Sequence, residues 1–247
     1  MKNPTLAGVV LGFLGLFGAL QAQAQHAGGD QHFAATDLRA QVRCPEVPVD
    51  VIAASVDERR LVCSAVSEAL QLLRHCEIFP RRPLVIQITD EVRHPFGRVI
   101  FGLFDPRDER IWITQFGTIS SLVRGTPFSE LPQRELYKSI VVHELVHGVM
   151  HQNAKRRAIT RSAYEYPAYA LQIASLTSSA RDRFLQTIHN VASTGDFVFN
   201  DFILSMDPFF FAASAYEHFS ASANGCAHLI ALLEGEAAFI SEVPSLP

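Results

Sequence analysis

Long basic runs, long apolar stretches beyond the N-terminus and closely paired cysteines are all missing from this 247-residue chain. Lys and Arg number 21 against 25 Asp and Glu, a formal charge of −4. The longest basic run is Lys155-Arg156-Arg157, which reads as a solvated turn, so no electrostatic case exists for a nucleic-acid partner. After residue 24 no uninterrupted apolar stretch approaches the roughly 18 residues a membrane-spanning helix needs. The four cysteines include no C-x-x-C pair, which removes thioredoxin-type and zinc-ribbon readings. Charged residues make up only 19%, but hydrophobic residues reach 48% and aromatics 10%. That balance describes a folded globular chain and excludes intrinsic disorder, collagen and coiled coil.

Residues 1–24 have the form of a secretory signal. Lys2 supplies the positive start, Leu6 to Leu20 contains only Gly besides hydrophobes, and Ala22-Gln23-Ala24 fits small-x-small cleavage before Gln25. No Cys follows directly, which argues against a lipoprotein. The chain is therefore expected to be exported, periplasmic or secreted, with no stable membrane anchor after cleavage. Residues 25–36 have little to bury and read as a flexible mature N-terminus. Residues 37–247 read as one domain, strand-rich over 37–131 and helical over 132–247.

An even cysteine count in an exported chain predicts two disulfides. Cys63 and Cys76 stand in one predicted helix, about 20 Å apart, too far to be joined. Two pairings are left: Cys44–Cys63 with Cys76–Cys226, which we favour, or Cys44–Cys76 with Cys63–Cys226. Arg43-Cys44-Pro45 also evokes the inhibitory cysteine of some metalloprotease propeptides, but the residues after it do not continue that pattern.

Pro48–Ser55 reads as a first strand. Asp57–Cys76 has a helical apolar stripe, with Asp57 as the expected cap. Leu84–Thr89 is apolar enough for a buried strand. Val99–Phe104 and Arg110–Phe116 flank Asp105-Pro106-Arg107-Asp108 as a β-hairpin, followed by a Gly/Ser/Pro-rich connector over 117–131. Helical patterns cover Pro132–Gln152, Ser162–Leu176, Ser179–His189, 208–222 and 225–239. The stretches 190–201 and 205–208 are left as loops. Strands followed by helices give an α+β class.

The chemistry concentrates in Ile140-Val141-Val142-His143-Glu144-Leu145-Val146-His147-Gly148-Val149. This is H-E-x-x-H on an apolar helix. Positions four apart share a face, so His143 and His147 can direct their imidazoles at one ion. Glu144 can then reach water from beside the ion as a general base.

A zinc site needs a third protein ligand. Met150 and Asn153 stand where a metzincin would need Gly and His. Glu165, 18 residues beyond His147, is the only acidic residue between Glu144 and Asp182 and is the best third ligand. Ser162-x-x-Glu165 is also a capping-box spacing, and Pro167 fits best in a first helical turn. His151 is the first alternative ligand, followed by His189, Glu217 and His218.

With these residues the chain resembles a gluzincin-type zinc metallopeptidase over about residues 97–180. The resemblance implies a zincin-like α+β fold: an N-terminal mixed sheet with one helix, then an active-site helix and a mainly helical C-terminal part. It implies Zn2+ held by His143, His147 and Glu165, with Glu144 as catalytic base and a peptide or protein as substrate. It also implies a donor for the transition-state oxyanion, for which Tyr166, Tyr169, Tyr216 and His218 are candidates. By the same analogy Arg110–Phe116 would be the edge strand that binds extended substrate, with Trp112 or Phe116 lining the cleft. Asp207-Pro208-Phe209-Phe210-Phe211 reads as core or as an apolar substrate pocket. Two other functions fit the same motif: a non-catalytic zincin-fold module, and a zinc amidase acting on a non-protein substrate.

Overall fold

The computed structural model describes residues 41–94, 97–155, 160–188, 199–221 and 225–237. The leader, the mature N-terminus over 25–36, His189 and most of the 190–201 stretch lie outside the described residues.

The chain opens with β1 (Gln41–Arg43) and β2 (Val49–Ile52), then the long helix α1 (Val56–His75). Ser55 caps α1, its side chain accepting from the Glu58 amide, with Asp57 and Glu58 in the first turn. The cap is thus Ser55 rather than Asp57; both are favoured capping residue types, and the Ser55 hydroxyl stands where the chain turns from extended to helical. Strands β3 (Leu84–Thr89), β4 (Val92–Arg93), β5 (Val99–Ile100), β6 (Gly102–Asp105) and β7 (Arg110–Thr114) follow.

Five strands form one mixed sheet in the order β1-β2-β3-β7-β6. The β2–β3 and β3–β7 pairs are parallel, whereas β1–β2 and β6–β7 are antiparallel. The predicted hairpin is present as β6–β7, with Leu103 opposite Trp112. Its position corrects one expectation. β7 lies between β3 and β6, so Arg110–Thr114 is interior, and the edge is β6. Ile86, Ile88, Ile111 and Ile113 fill the buried face of the central pair, as expected for strands covered by helices.

The stretch read as a connector contains α2 (Phe116–Leu122) and a 3-10 turn (Pro127–Glu130). Ile119 and Phe128 are buried there, so packing overrides the weak helix propensity of Gly, Ser and Thr. The helical part comprises α3 (Gln133–Asn153), α4 (Arg161–Ala174), α5 (Ser178–Thr187), α6 (Asp201–Met206), α7 (Pro208–Ala221) and α8 (Gly225–Glu234). α6 takes in Asp201, Ser205 and Met206, which were expected to be loop; Asn200 caps it through the Ile203 amide. The fold is α+β.

Helix α3 is the centre of the molecule. It packs on α1, α4 and the β6–β7 side of the sheet, and every residue from Ser139 to Met150 is buried. Gly148 lets it approach the sheet: a methyl group there would stand 3.3 Å from the Leu84 side chain.

The disulfides are Cys44–Cys63 and Cys76–Cys226, the first of the two arrangements left open. One ties the β1–β2 turn to α1; the other ties the end of α1 to α8. Cys44 is consumed in a bridge, so the inhibitory-cysteine reading does not apply. Two disulfides fit an oxidising compartment. No helix among the described residues is long and apolar enough to cross a membrane.

Candidate metal centre

His143 and His147 stand one turn apart on α3, and Glu165 reaches them from α4. Thr160 caps α4, its hydroxyl accepting from the Ala163 amide. The Ser162 amide instead donates to Asp201 at 2.7 Å. No capping box forms, and the Glu165 carboxylate is left to face α3. Pro167 lies inside α4 rather than in its first turn.

The three groups converge. His143 Nε2 is 3.1 Å from His147 Nε2 and 3.3 Å from Glu165 Oε2, and His147 Nε2 is 3.6 Å from the same oxygen. Ligands held at about 2.0–2.1 Å in a tetrahedron stand about 3.3–3.4 Å from one another. The triangle therefore has the size of one face of a tetrahedral site. All three residues are at least 95% buried, and among the described residues this is the one His/Cys/Asp/Glu group that could hold a metal ion.

The tautomer of His143 is set from behind. Ser139 Oγ donates to the Leu136 carbonyl at 2.8 Å, which leaves its lone pair to accept from Gln172 Nε2 at 3.3 Å. Gln172 Oε1 then faces His143 Nδ1 at 2.9 Å, so Nδ1 carries the proton and Nε2 offers a lone pair to the centre. His147 Nδ1 and Glu165 Oε2 are buried with no hydrogen-bond partner. Without a cation, no tautomer of His147 satisfies both its ring nitrogens and the facing carboxylate, and such groups are costly to bury. A cation among the three atoms would satisfy His147 Nε2 and the Glu165 oxygen together, leaving Nδ1 of His147 with the proton, so the residues present fit a bound metal.

Electrostatics points the same way. Burial pushes Glu165 up, but His147 and His143 outweigh it and hold the carboxyl well below the usual range. Burial pulls His143 down, yet Glu165 raises it above the ordinary imidazole value. Among the described residues the ion-pair partners of Glu165 are these two imidazoles.

Glu144 lies outside the triangle. Burial raises its pKa, opposed by the two imidazoles and by a hydrogen bond from the Phe104 backbone on β6. Gly102 flanks it on the same strand: a methyl group there would lie 2.6 Å from Glu144 Cγ. Glu144 and His143 share a cavity of about 530 Å3 with Tyr169 and Gln172.

The remaining sequence candidates fall elsewhere. His151 packs on Phe104 with ring centroids 5.4 Å apart. Tyr166 is bonded through its hydroxyl to His218 Nδ1 at 2.6 Å, and Arg181 covers the Tyr216 ring. Glu217 is not in the His/His/Glu group. Tyr169 alone of the four donor candidates lines the cavity, its ring edge-on to His143 at 4.6 Å. Trp112 and Phe116 do not line it: Arg110 lies over Trp112, and Phe116 packs edge-on against Tyr137. Phe209 of the aromatic run does line it, whereas Phe211 is core. Ser139 and Gln172 went unread in the sequence, although Gln172 is seven residues after Glu165 and Ser139 four before His143, both on the facing sides of their helices.

A family of unknown function, DUF6639, matches residues 49–242. The chain belongs to that family. The matched span carries α3 and α4 with all four residues of the centre. No curated protein and no solved structure matches the chain.

Proposed function

We propose that this protein is an exported zinc peptidase of the gluzincin type, with a zincin-like arrangement of sheet and active helix. One observation carries the reading. Glu165 closes a tetrahedral face with the two H-E-x-x-H imidazoles, while Glu144 stays out of that face and opens onto the neighbouring cavity. A purely structural site needs the three ligands but has no use for a second buried carboxylate held beside them.

His143, His147 and Glu165 would hold the ion, and the two nitrogens and one oxygen suit zinc. Bound there, zinc would supply Lewis acidity, lowering the pKa of water and polarising the scissile carbonyl. Glu144 takes the proton of the attacking water and delivers it to the leaving amine. Burial raises its pKa, which favours taking up the proton that it later passes on. The Phe104 amide holds one side of the carboxylate, so its position is fixed before substrate arrives. Tyr169, beside His143 on the cavity wall, is the best placed donor to the developing oxyanion. β6, as the sheet edge next to Glu144, is where an extended peptide would add as a strand.

The test separates base from ligand. Glu144→Ala is expected to lose hydrolysis of a quenched fluorescent peptide mixture while keeping wild-type zinc content. Full activity in that variant would overturn the mechanism.

A further inference from the structure

The cavity beside Glu144 is too large for one side chain. A cavity of about 150 Å3 holds a benzene ring, and this one measures about 530 Å3. Its walls are apolar and come from separate elements: Ile100 and Phe101 beside the sheet edge, Leu122 at the end of α2, Phe128 in the 3-10 turn, and Phe209 on α7. The aromatic part is braced. Phe128 packs against Phe209, Phe184 and Phe101 at centroid distances of 5.2, 5.3 and 6.4 Å. Apart from Glu144, Asp207 is the one acidic residue among the described lining residues, and its carboxylate is engaged by the Phe210 amide at 2.9 Å.

The apolar character continues to the outside. Met206 lines the cavity yet is 63% exposed, and Phe202 is 51% exposed. The two are four residues apart on α6 and so share a face. Exposed large apolar residues next to a large apolar cavity mark a binding surface.

We propose that the substrates are unstructured polypeptide segments carrying several consecutive large apolar residues, which enter past Phe202 and Met206 and fill the cavity next to the scissile bond. The inference rests on the peptidase reading, since it is the shared lining by His143 and Glu144 that makes the cavity a substrate site. A segment of this kind is buried in a folded protein, so the enzyme selects unfolded or unassembled chains.

The experiment uses the full disulfide-bonded protein loaded with zinc. A blocked peptide with a central run of Leu and Phe is compared with one carrying Ser and Gln there, and with dodecanoate. Binding is read by calorimetry on Glu144→Gln, and cleavage on the wild type. The apolar peptide should bind at least about tenfold tighter than the polar one, with a negative heat-capacity change. Its kcat/KM should be about a hundredfold higher. Ser at both 202 and 206, surface changes that leave the core untouched, should weaken apolar binding about tenfold. Equal handling of the two peptides, or tighter binding of dodecanoate than of the apolar peptide, would overturn the inference. Tight binding of the apolar peptide with no cleavage of either would uphold the cavity's preference and overturn the peptidase reading instead.

Discussion

Gly102 on the edge strand β6 lies against Glu144 on α3 with no room for a side chain: a Cβ there would come within 2.6 Å of Glu144 Cγ and 2.9 Å of Oε1. The glycine is required by this close approach and not by an unusual backbone conformation. Gly102→Ala must displace the Glu144 carboxylate. A displacement of about 1 Å costs catalysis on the order of a hundredfold. The expected result is that loss in kcat/KM with zinc content unchanged, measured by peptide hydrolysis and elemental analysis on one preparation. Loss of zinc in step with activity would show that Gly102 supports the ligands instead.

Gln172 sets the tautomer of His143, so its removal acts on the metal. Gln172→Leu is expected to weaken zinc binding about ten- to a hundredfold, read by competition with a chromogenic chelator. Ser139→Ala removes only the outer link and should cost about 1 kcal/mol of stability, with a smaller change in affinity. Unchanged affinity in Gln172→Leu would contradict the orienting role.

The two disulfides should differ in weight. Cys76–Cys226 spans a separation of 150 residues and Cys44–Cys63 one of 19. Loop-closure arguments assign about 5 and about 3 kcal/mol respectively. Replacing Cys76 and Cys226 by Ser should therefore lower Tm more than replacing Cys44 and Cys63, in thermal scans under identical conditions. The reverse order would show that strand–helix tethering near α1 matters more than loop length.

Metal removal should destabilise the whole fold, since α3 and α4 would then hold two imidazoles and a carboxylate together without the cation that bridges all three. Chelation is expected to lower Tm, and zinc at about a thousand times its Kd should restore about 4 kcal/mol. His143→Ala should abolish the response. A Tm indifferent to chelator and zinc would mean the triangle binds no ion.

Much of this was legible in the residues, for local reasons. The apolar flanks of H-E-x-x-H read directly as a buried helix, and the isolation of Glu165 among non-acidic neighbours singled it out. The β6–β7 hairpin was legible from its turn. Which of its strands forms the sheet edge was not, because that depends on β3 pairing with β7 across an intervening segment. α2 and α6 were hidden for another reason: α2 is rich in Gly, Ser and Thr and α6 is only 6 residues long, and buried residues such as Ile119 and Leu204 hold them in place through tertiary contact. The Ser162/Glu165 ambiguity was real at the level of spacing. It is resolved by Asp201, 39 residues away from Ser162, which takes the amide that a capping box would have used.

The most direct test of the account is zinc per chain in the disulfide-bonded protein and in Glu165→Ala, measured by elemental analysis after dialysis against a weak chelator. The account predicts close to one zinc per wild-type chain and a substantial loss in the variant. Retention of zinc by Glu165→Ala at wild-type affinity, or no zinc in the wild type, would contradict it.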